Sequence, residues 1–426
     1  MKILKTLALL LTLVSTTAYA LLEVTIVKSE GNAFPIVISP FEVVGNAEQG
    51  ATIANIIRDN LNRSGQFNAL SSSNVITNKI DFSYWKNQGK DAIVFGKVEQ
   101  ISSKVFNVTI YIYDIYTKKR LYGKTIEVHS SGIRRISHFL SDKIYNILLG
   151  QKGAFDTRLT YVTVTDDKKL GKVYQLEISD SDGQNAQVVV KSRYPILSPA
   201  WSPDQKKIAY VSFQNGRSEV FIKYPFMRVK SIKIPQFDGI SSAPSWHPNS
   251  KGLVLTISRK GNKDIYFYSL KSKKLDRLTK DVAIDTEANF SPDGNSIAFT
   301  SNRSGQVQIY IKDLTSNKTK RATFKGRYNA KPVFSPDGKA LALIHRVGKD
   351  YRVALLDIKT RDLTVLTQNK LDESPYFSPN GGMIIFATNR NNKGVLSVIS
   401  LYNNQIVELA QKGVEVREPS WSNYSN

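Results

Sequence analysis

Cysteine is absent from all 426 residues. No disulfide staples this chain and no thiolate can hold a metal, so its fold must stand on core burial alone. Histidine is scarce: His129, His138, His247 and His345 are the whole supply, and the repeat described below sets the last two at different depths, so they form no evident metal set. Acid is in deficit, 36 Asp and Glu against 59 Lys and Arg, for a formal charge of +23. The G-x-S-x-G phrase of a nucleophile elbow is missing, and so is a G-x-x-x-x-G-K-S/T phosphate loop. After the first twenty residues no apolar run is long enough to cross about 30 Å of hydrocarbon.

What is present begins with MKILKTLALLLTLVSTTAYA. Lys2 and Lys5 precede an apolar run from Leu7 to Val14, and Ala18-Tyr19-Ala20 ends it. That order predicts a secretory signal over residues 1–20, cleaved after Ala20. The expected product is an exported chain without a lipid-anchor cysteine, which suits a bacterial periplasm and a monomer that inserts in no membrane. Export also argues against nucleic acid as the partner of the positive charge. The Lys and Arg are scattered and do not alternate with aromatics, so they read as a solvated basic surface.

One phrase recurs. ANFSPDGNSIAFTSN (residues 288–302) returns as PVFSPDGKALALIH (332–345) and PYFSPNGGMIIFATN (375–389), with looser copies at PAWSPDQKKIAYVS (199–212) and PSWHPNSKGLVLTIS (244–258). PSWSN (419–423) is a sixth copy that stops halfway. The aromatic positions Trp201, Trp246, Phe290, Phe334, Phe377 and Trp421 are spaced by 45, 44, 44, 43 and 44 residues. Each period holds four short runs of strand composition separated by turns, which predicts one propeller blade per period. In the SPDG tetrad, Pro presets the turn, Asp hydrogen-bonds back to the main chain and Gly relaxes the fourth position, so Asp204, Asp293 and Asp337 read as turn residues and not as metal ligands. RLTYVTV (158–164) is a second run without a first, and PSWSN is a first run without a second. The economical solution is a ring over residues 158–426, a six-bladed β-propeller whose C-terminal strand completes the first blade and removes the open edge.

Residues 21–150 lack the period and predict a small α/β domain. GATIANIIRDNLNRSGQF carries Ile53, Ile56, Ile57 and Leu61 on one helical face and ends near Gly65, and IRRISHFLSDKIYNILLG is a second amphipathic helix stopped by Gly150. AIVFGKVEQ, FNVTIYIYDI and KKRLYGKTIEV read as neighbouring strands, and residues 151–157 as the link to the ring. The loops that enter each first run are expected to gather at one mouth of the channel. They hold Asp238, Asp285, Glu287, Asp372, Glu373, Glu415 and Glu418 against Arg327, Lys331, Lys370 and Arg417, an acidic socket on a basic chain, with Glu287 and Glu373 expected in exposed loops. These residues leave two classes open: a binding scaffold, or a periplasmic propeller enzyme acting on a carbohydrate or peptide through channel carboxylates alone.

The repeat, the order TYV…LEISD…YPILSPAWSPD, the IVISPF and RDNLNRSGQF segments, the KGAFDTRLTYV junction, DTEANFSPD and LDESPYFSPNG together resemble the TolB family of periplasmic Tol-Pal proteins. The resemblance covers nearly the whole expected mature chain. It implies an adaptor with no enzymatic activity, cofactor or metal, whose propeller binds the lipoprotein Pal and whose N-terminal residues bind TolA. It also implies a role in outer-membrane integrity and in drawing that membrane inward at division. On this chain the Pal contacts map to Ser242, Ala243, Pro244, Asp285, Thr286, Glu287, Asp372, Glu373, Ser374, Arg417 and Glu418. The TolA arm maps to Leu21, Leu22, Glu23 and Val24, which the residues alone read equally as the start of an ordinary first strand. Where the family has His-Asn-Gly-Ala-Pro, this chain has Ile240-Ser241-Ser242-Ala243-Pro244, so a histidine contact does not carry over.

Overall fold

The computed structural model describes residues 33–424 apart from 46–48, 78, 170, 236, 238 and 410–413. The expected signal, the arm residues Leu21, Leu22, Glu23 and Val24, and Asp238 lie outside the described residues. Among the described residues no helix is long and apolar enough to cross a membrane.

The first part is built on β1 (Phe34–Ile38), β2 (Glu42–Val44), α1 (Gln49–Arg63), β3 (Phe67–Ser71), α2 (Phe82–Asn87), β4 (Ala92–Ser102), β5 (Val105–Asp114), β6 (Arg120–His129) and α3 (Ile133–Leu149). The sheet order is β3-β1-β4-β5-β6, with β2 also paired to β4. β1 runs parallel to β3 and β4, while β4-β5 and β5-β6 are antiparallel hairpins. α1 buries Ile53, Ala54, Ile57 and Leu61 on one stripe, and Gly150 ends α3 in the left-handed conformation expected of a helix stop, its N–H on Asn146 O at 2.8 Å. The short helix α2 was not evident from periodicity. It is a single capped turn, in which the Asp81 carboxylate accepts from Tyr84 N at 2.9 Å.

The second part is six four-stranded antiparallel sheets. Their innermost strands are Ile196–Trp201, Ile240–Trp246, Asp285–Phe290, Asn329–Phe334, Asp372–Phe377 and Glu415–Trp421. Numbering blades from the first strand, Arg158–Asp167, makes these the inner strands of blades 2, 3, 4, 5, 6 and 1. The last strand pairs with that first one in the register Val416↔Thr163 and Trp421↔Leu159. Trp421 is buried, and its indole N–H donates to Thr157 Oγ1 at 2.8 Å. The SPDG turns follow their chemistry. Asp293 accepts from the Ser291 hydroxyl and from Asn295 N at 3.0 Å, and Gly294 sits at φ +75°.

The two parts share one core. Ile53, Leu61, Leu140 and Ile144 of the helices belong to the same buried cluster as Leu159, Tyr161, Ile385, Leu396, Val416 and Trp421 of blades 1 and 6. Polar contacts close the seam at the turn end of those blades: Ser400 Oγ donates to Ser64 O at 2.7 Å and Asn380 Nδ2 to Lys152 O at 3.3 Å. Gly65, at φ +74°, lies in this seam, where a Cβ would stand 2.3 Å from Ser400 Oγ. A side chain there would be strained by the backbone conformation and would have to displace the side chains of Ser400 and Asn403.

Candidate functional site: the propeller mouth

Every inner strand breaks its ladder at the same place. The register shifts between Leu197 and Ala200, Ser242 and Ser245, Thr286 and Asn289, Ala330 and Val333, Glu373 and Tyr376, and Arg417 and Ser420. Inside each shift stands one non-glycine residue with left-handed backbone: Ser198, Ala243, Glu287, Lys331, Ser374 and Glu418, at φ between 47° and 57°. Proline follows five of the six, and Ala288 follows Glu287. A proline has no N–H for the ladder, and a bulge is where a strand tolerates that loss. A non-glycine residue held left-handed costs on the order of 1–3 kcal/mol, and such residues concentrate at functional sites. Here all six line one cavity of about 170 Å³ at the channel mouth, with Trp201, Trp246 and Tyr376 in its wall.

The charged members of this ring are wired together. Glu287 Oε2 accepts from Thr300 Oγ1 at 2.9 Å and from Lys331 N at 3.1 Å. The Lys331 ammonium donates to Ser374 Oγ at 2.8 Å and stands 3.4 Å from Glu418 Oε2, and the Ser374 hydroxyl donates to the same oxygen at 3.3 Å. Burial by itself lowers the pKa of Lys331, but the carboxylates of Glu418, Glu287 and Glu373 outweigh it and hold the ammonium above the ordinary lysine value. Glu373 shifts upward, chiefly through burial and then through the charge of Glu418, with Lys331 and Arg417 opposing. Glu287 and Glu418 line the cavity against the one ammonium of Lys331, with Glu373 close enough to act on it, which leaves excess negative charge there. Val282, Ile284 and Leu371 are exposed on the loops that lead into these strands, and Ile240 is exposed at the start of its own.

The expected acidic socket is smaller than its sequence count. Asp285 and Asp372 are not loop-tip acids. Asp285 is fully buried and grips Arg303 NH2 at 2.8 and 2.7 Å; Asp372 is buried against Thr367 Oγ1 and Asn369. Both anchor the incoming loop, as Asn329 does in blade 5 through Gln308 and Lys325 O. Glu287 and Glu373 lie in inner strands and are half-buried, not in exposed loops. Glu415 faces Arg417, which is exposed at the rim. Thr286 reaches Thr256 Oγ1 at 3.2 Å, Ser242 and Ala243 are half-buried, and Pro244 is buried. Sequence reasoning counted Lys331 only as an opposing charge and missed Ser198 and Thr300. The signal was the position three residues before each repeated aromatic, which holds all six members of the ring.

Among the described residues, His138, Asp180 and Asp182 form a cluster with donor atoms for a cation. The His138 Nε2 lies 3.8 Å from one oxygen of each aspartate. The neighbouring bonds decide its chemistry. Arg63 donates to Asn60 Oδ1 at 2.9 Å, which turns the Asn60 amide nitrogen toward His138 Nδ1 at 2.9 Å. Nδ1 therefore accepts, and Nε2 carries the proton instead of a lone pair for a metal. Arg134 already holds both aspartates, at 3.0 and 2.6 Å. The cluster fastens α1 and α3 to the outer turn of blade 1.

Two family models match this chain. One described as the TolB amino-terminal domain covers residues 22–121, and one described as the TolB beta propeller domain covers residues 145–425. The Tol-Pal system protein TolB of Ruthia magnifica subsp. Calyptogena magnifica is 64% identical over 98% of this chain and 99% of its own length. That of Nitrosococcus oceani is 41% identical over 99% and 98%. The crystal structure of TolB from Acinetobacter baumannii superposes with a TM-score of 0.84 at 38% identity, covering 93% of this chain and 98% of that one.

Proposed function

This chain belongs to the TolB family of the Tol-Pal system, and we propose that it acts there as a non-enzymatic periplasmic adaptor. The propeller mouth takes the lipoprotein Pal, the residues Leu21, Leu22, Glu23 and Val24 take TolA, and the monomer links the two in maintaining the outer membrane and drawing it inward at division. The observation that carries this reading is the ring of six left-handed bulge residues around one cavity. Strain repeated at one level of every blade aims side chains at a common occupant. The exposed apolar residues Ile240, Val282, Ile284 and Leu371 add a rim that a protein surface can cover, within the roughly 1,600 Å² of a standard contact. The Ser374 hydroxyl lies 2.8 Å from Lys331, but the neighbouring carboxylates hold that ammonium above the ordinary lysine value, so it stays protonated and offers the hydroxyl no free amine as a base.

The test is a titration of purified chain with Pal at two salt concentrations, beside a melting curve. Glu287→Lys with Glu373→Lys reverses two of the three carboxylates that act on Lys331. It should weaken binding at least tenfold, mainly through slower association, while lost hydrogen bonds to Glu287 lower stability by about 1–2 kcal/mol. A folded double variant that binds Pal as the parent does moves the site away from the mouth. Removing Leu21, Leu22, Glu23 and Val24 should abolish TolA binding and spare Pal; unchanged TolA binding returns those residues to a plain strand.

A further inference from the structure

The face opposite the mouth carries the turn after each inner strand and the turn before each outer strand, because all blades are four-stranded meanders. The α/β part covers this face over blades 1 and 6, through Arg134 on Asp180 and Asp182 and through Lys152 O on Asn380. Over blades 2–5 the described residues leave it open.

In blades 3, 4 and 5 the outer turn is five residues, LKSKK (270–274), LTSNK (314–318) and IKTRD (358–362), polar after a first residue that tucks against the core. Blade 2 departs from this. Its outer turn is YPFMRVKS (224–231), running into the strand Ile232–Lys233. Phe226, Met227, Val229 and Ile232 are 57, 57, 42 and 55% exposed, and Arg228 and Lys230, which alternate with them, are exposed too, while the Lys233 ammonium is paired with Glu219 at 3.4 Å. The turn is held in this presentation. Val229 N donates to Met227 O at 2.8 Å, the Lys223 ammonium to Val229 O at 2.5 Å, and Phe226 stacks on Trp201 with the Arg158 guanidinium 4.9 Å from its ring centre. The sister turns show that the blade does not need these apolar side chains to close.

The surroundings are positive. Across the open turns of blades 2–5 there are twelve Lys or Arg and four Asp. Three of those acids, Asp204, Asp293 and Asp337, are held by serine hydroxyls of their own turns. Bases alone would suit any soluble polyanion. Bases alternating with exposed apolar side chains suit the interfacial zone of a bilayer, where apolar groups enter the acyl boundary while ammonium and guanidinium groups stay at the phosphates.

We propose that this face docks on an anionic phospholipid bilayer, with Met227, Val229 and Ile232 entering the headgroup layer beside Phe226. Such docking would leave the mouth pointing away from the lipid, and it does not depend on what the mouth binds. The test is co-sedimentation of the full chain with vesicles of equal parts phosphatidylglycerol and phosphatidylcholine, against phosphatidylcholine alone. Binding is expected on the anionic vesicles only, weakening steeply as salt rises. Arg228→Glu with Lys230→Glu should lower partitioning more than tenfold, since each base near such a surface contributes a factor of roughly five. Met227→Ser with Val229→Ser should lower it several-fold with an unchanged melting curve, because both side chains are exposed. Met227→Trp should shift its emission to the blue on anionic vesicles. Equal binding to neutral vesicles overturns the proposal. So does a chain that responds to the charge reversals but not to Met227→Ser with Val229→Ser, with no shift for Met227→Trp; that result would assign the face to a soluble polyanion.

Discussion

Replacing Trp421 by alanine tests both the closure of the ring and its union with the α/β part. Trp421 is 1% exposed and sits in the cluster that holds helix residues and blades 1 and 6 together. Truncating a buried tryptophan costs about 3–5 kcal/mol in lost transfer energy and residual cavity. Its N–H to Thr157 Oγ1 is lost as well, and leaving that buried hydroxyl with one partner fewer adds about 1 kcal/mol. The sum is about 4–6 kcal/mol. How far the melting temperature moves depends on what melts with it. If the described chain of about 380 residues unfolds as one unit, its unfolding entropy near 60 °C is about 0.8 kcal/mol/K and the expected shift is about 5–7 °C. If the ring melted alone, its smaller entropy would give about 7–11 °C in one transition, and a second would stay in place. Differential scanning calorimetry separates the cases, and the shared core predicts one endotherm displaced as a whole. A shift below about 1 °C would refute the closure, and a second, unmoved endotherm would refute the shared core. Trp246→Ala is the control, since its indole bonds Ala200 O between blades 2 and 3, away from the α/β part.

Asp142 lies where α3 meets the linker. Burial pushes its carboxyl up to about 6 despite the amides of Phe155 and Asp156. A folded pKa raised above the unfolded one means stability present below pH 4 and lost as pH rises through 6, on the order of 3 kcal/mol. Asp142→Asn should flatten that slope in urea midpoints from pH 4 to 7, and an unchanged slope would assign the titration elsewhere. Lys331→Met removes the ammonium that faces Glu418, Glu287 and Glu373. It should destabilise the chain by about 2 kcal/mol at pH 7, less than a fully buried pair because Lys331 keeps some solvent contact. The deficit should shrink as pH falls and Glu373, its carboxyl raised by burial and by the charge of Glu418, takes up a proton, and a deficit independent of pH would mean that packing and not charge is what the lysine supplies.

The ring was legible because a propeller writes its symmetry as a period. Six aromatic positions at intervals of 43–45 residues, plus a half phrase at the end, left one arrangement that pairs every strand. The two long helices were legible from their apolar stripes. By contrast α2, β2 and β3 were not, since each is six residues or fewer and follows no periodicity that length can reveal. The mouth was half legible. Its location followed from the order of strands, but charge was counted without depth: Asp285 and Asp372 precede the bulge by two residues and point into the blade, where Arg303 and Thr367 meet them. Depth along an inner strand is set by the bulge, and a bulge leaves no alternation that a period of two can report.

That bulge also explains how a symmetric ring makes an asymmetric site. Each blade delivers one side chain to the cavity from an equivalent backbone position, so the scaffold fixes place and leaves chemistry free. Around the ring the sequence writes Ser198, Ala243, Glu287, Lys331, Ser374 and Glu418. Blades 2 and 3 thus contribute small neutral groups beside Trp201 and Trp246, while blades 4, 5, 6 and 1 contribute a continuous polar arc. An occupant must meet an apolar, roomy wall on one side and net negative charge on the other. It gains most if it presents a flat or apolar group toward the tryptophans and donors or positive charge toward Glu287, Glu373 and Glu418. A neutral polar group spread evenly over the mouth would desolvate the arc without pairing it, at a cost of about 1–3 kcal/mol for each buried group left unmatched. If the mouth takes Pal as proposed, selectivity resides in the order of residues around the ring and not in their total charge, and exchanging Ala243 with Glu287 should abolish Pal binding in the same titration while leaving the composition of the cavity unchanged; unchanged binding would refute the argument.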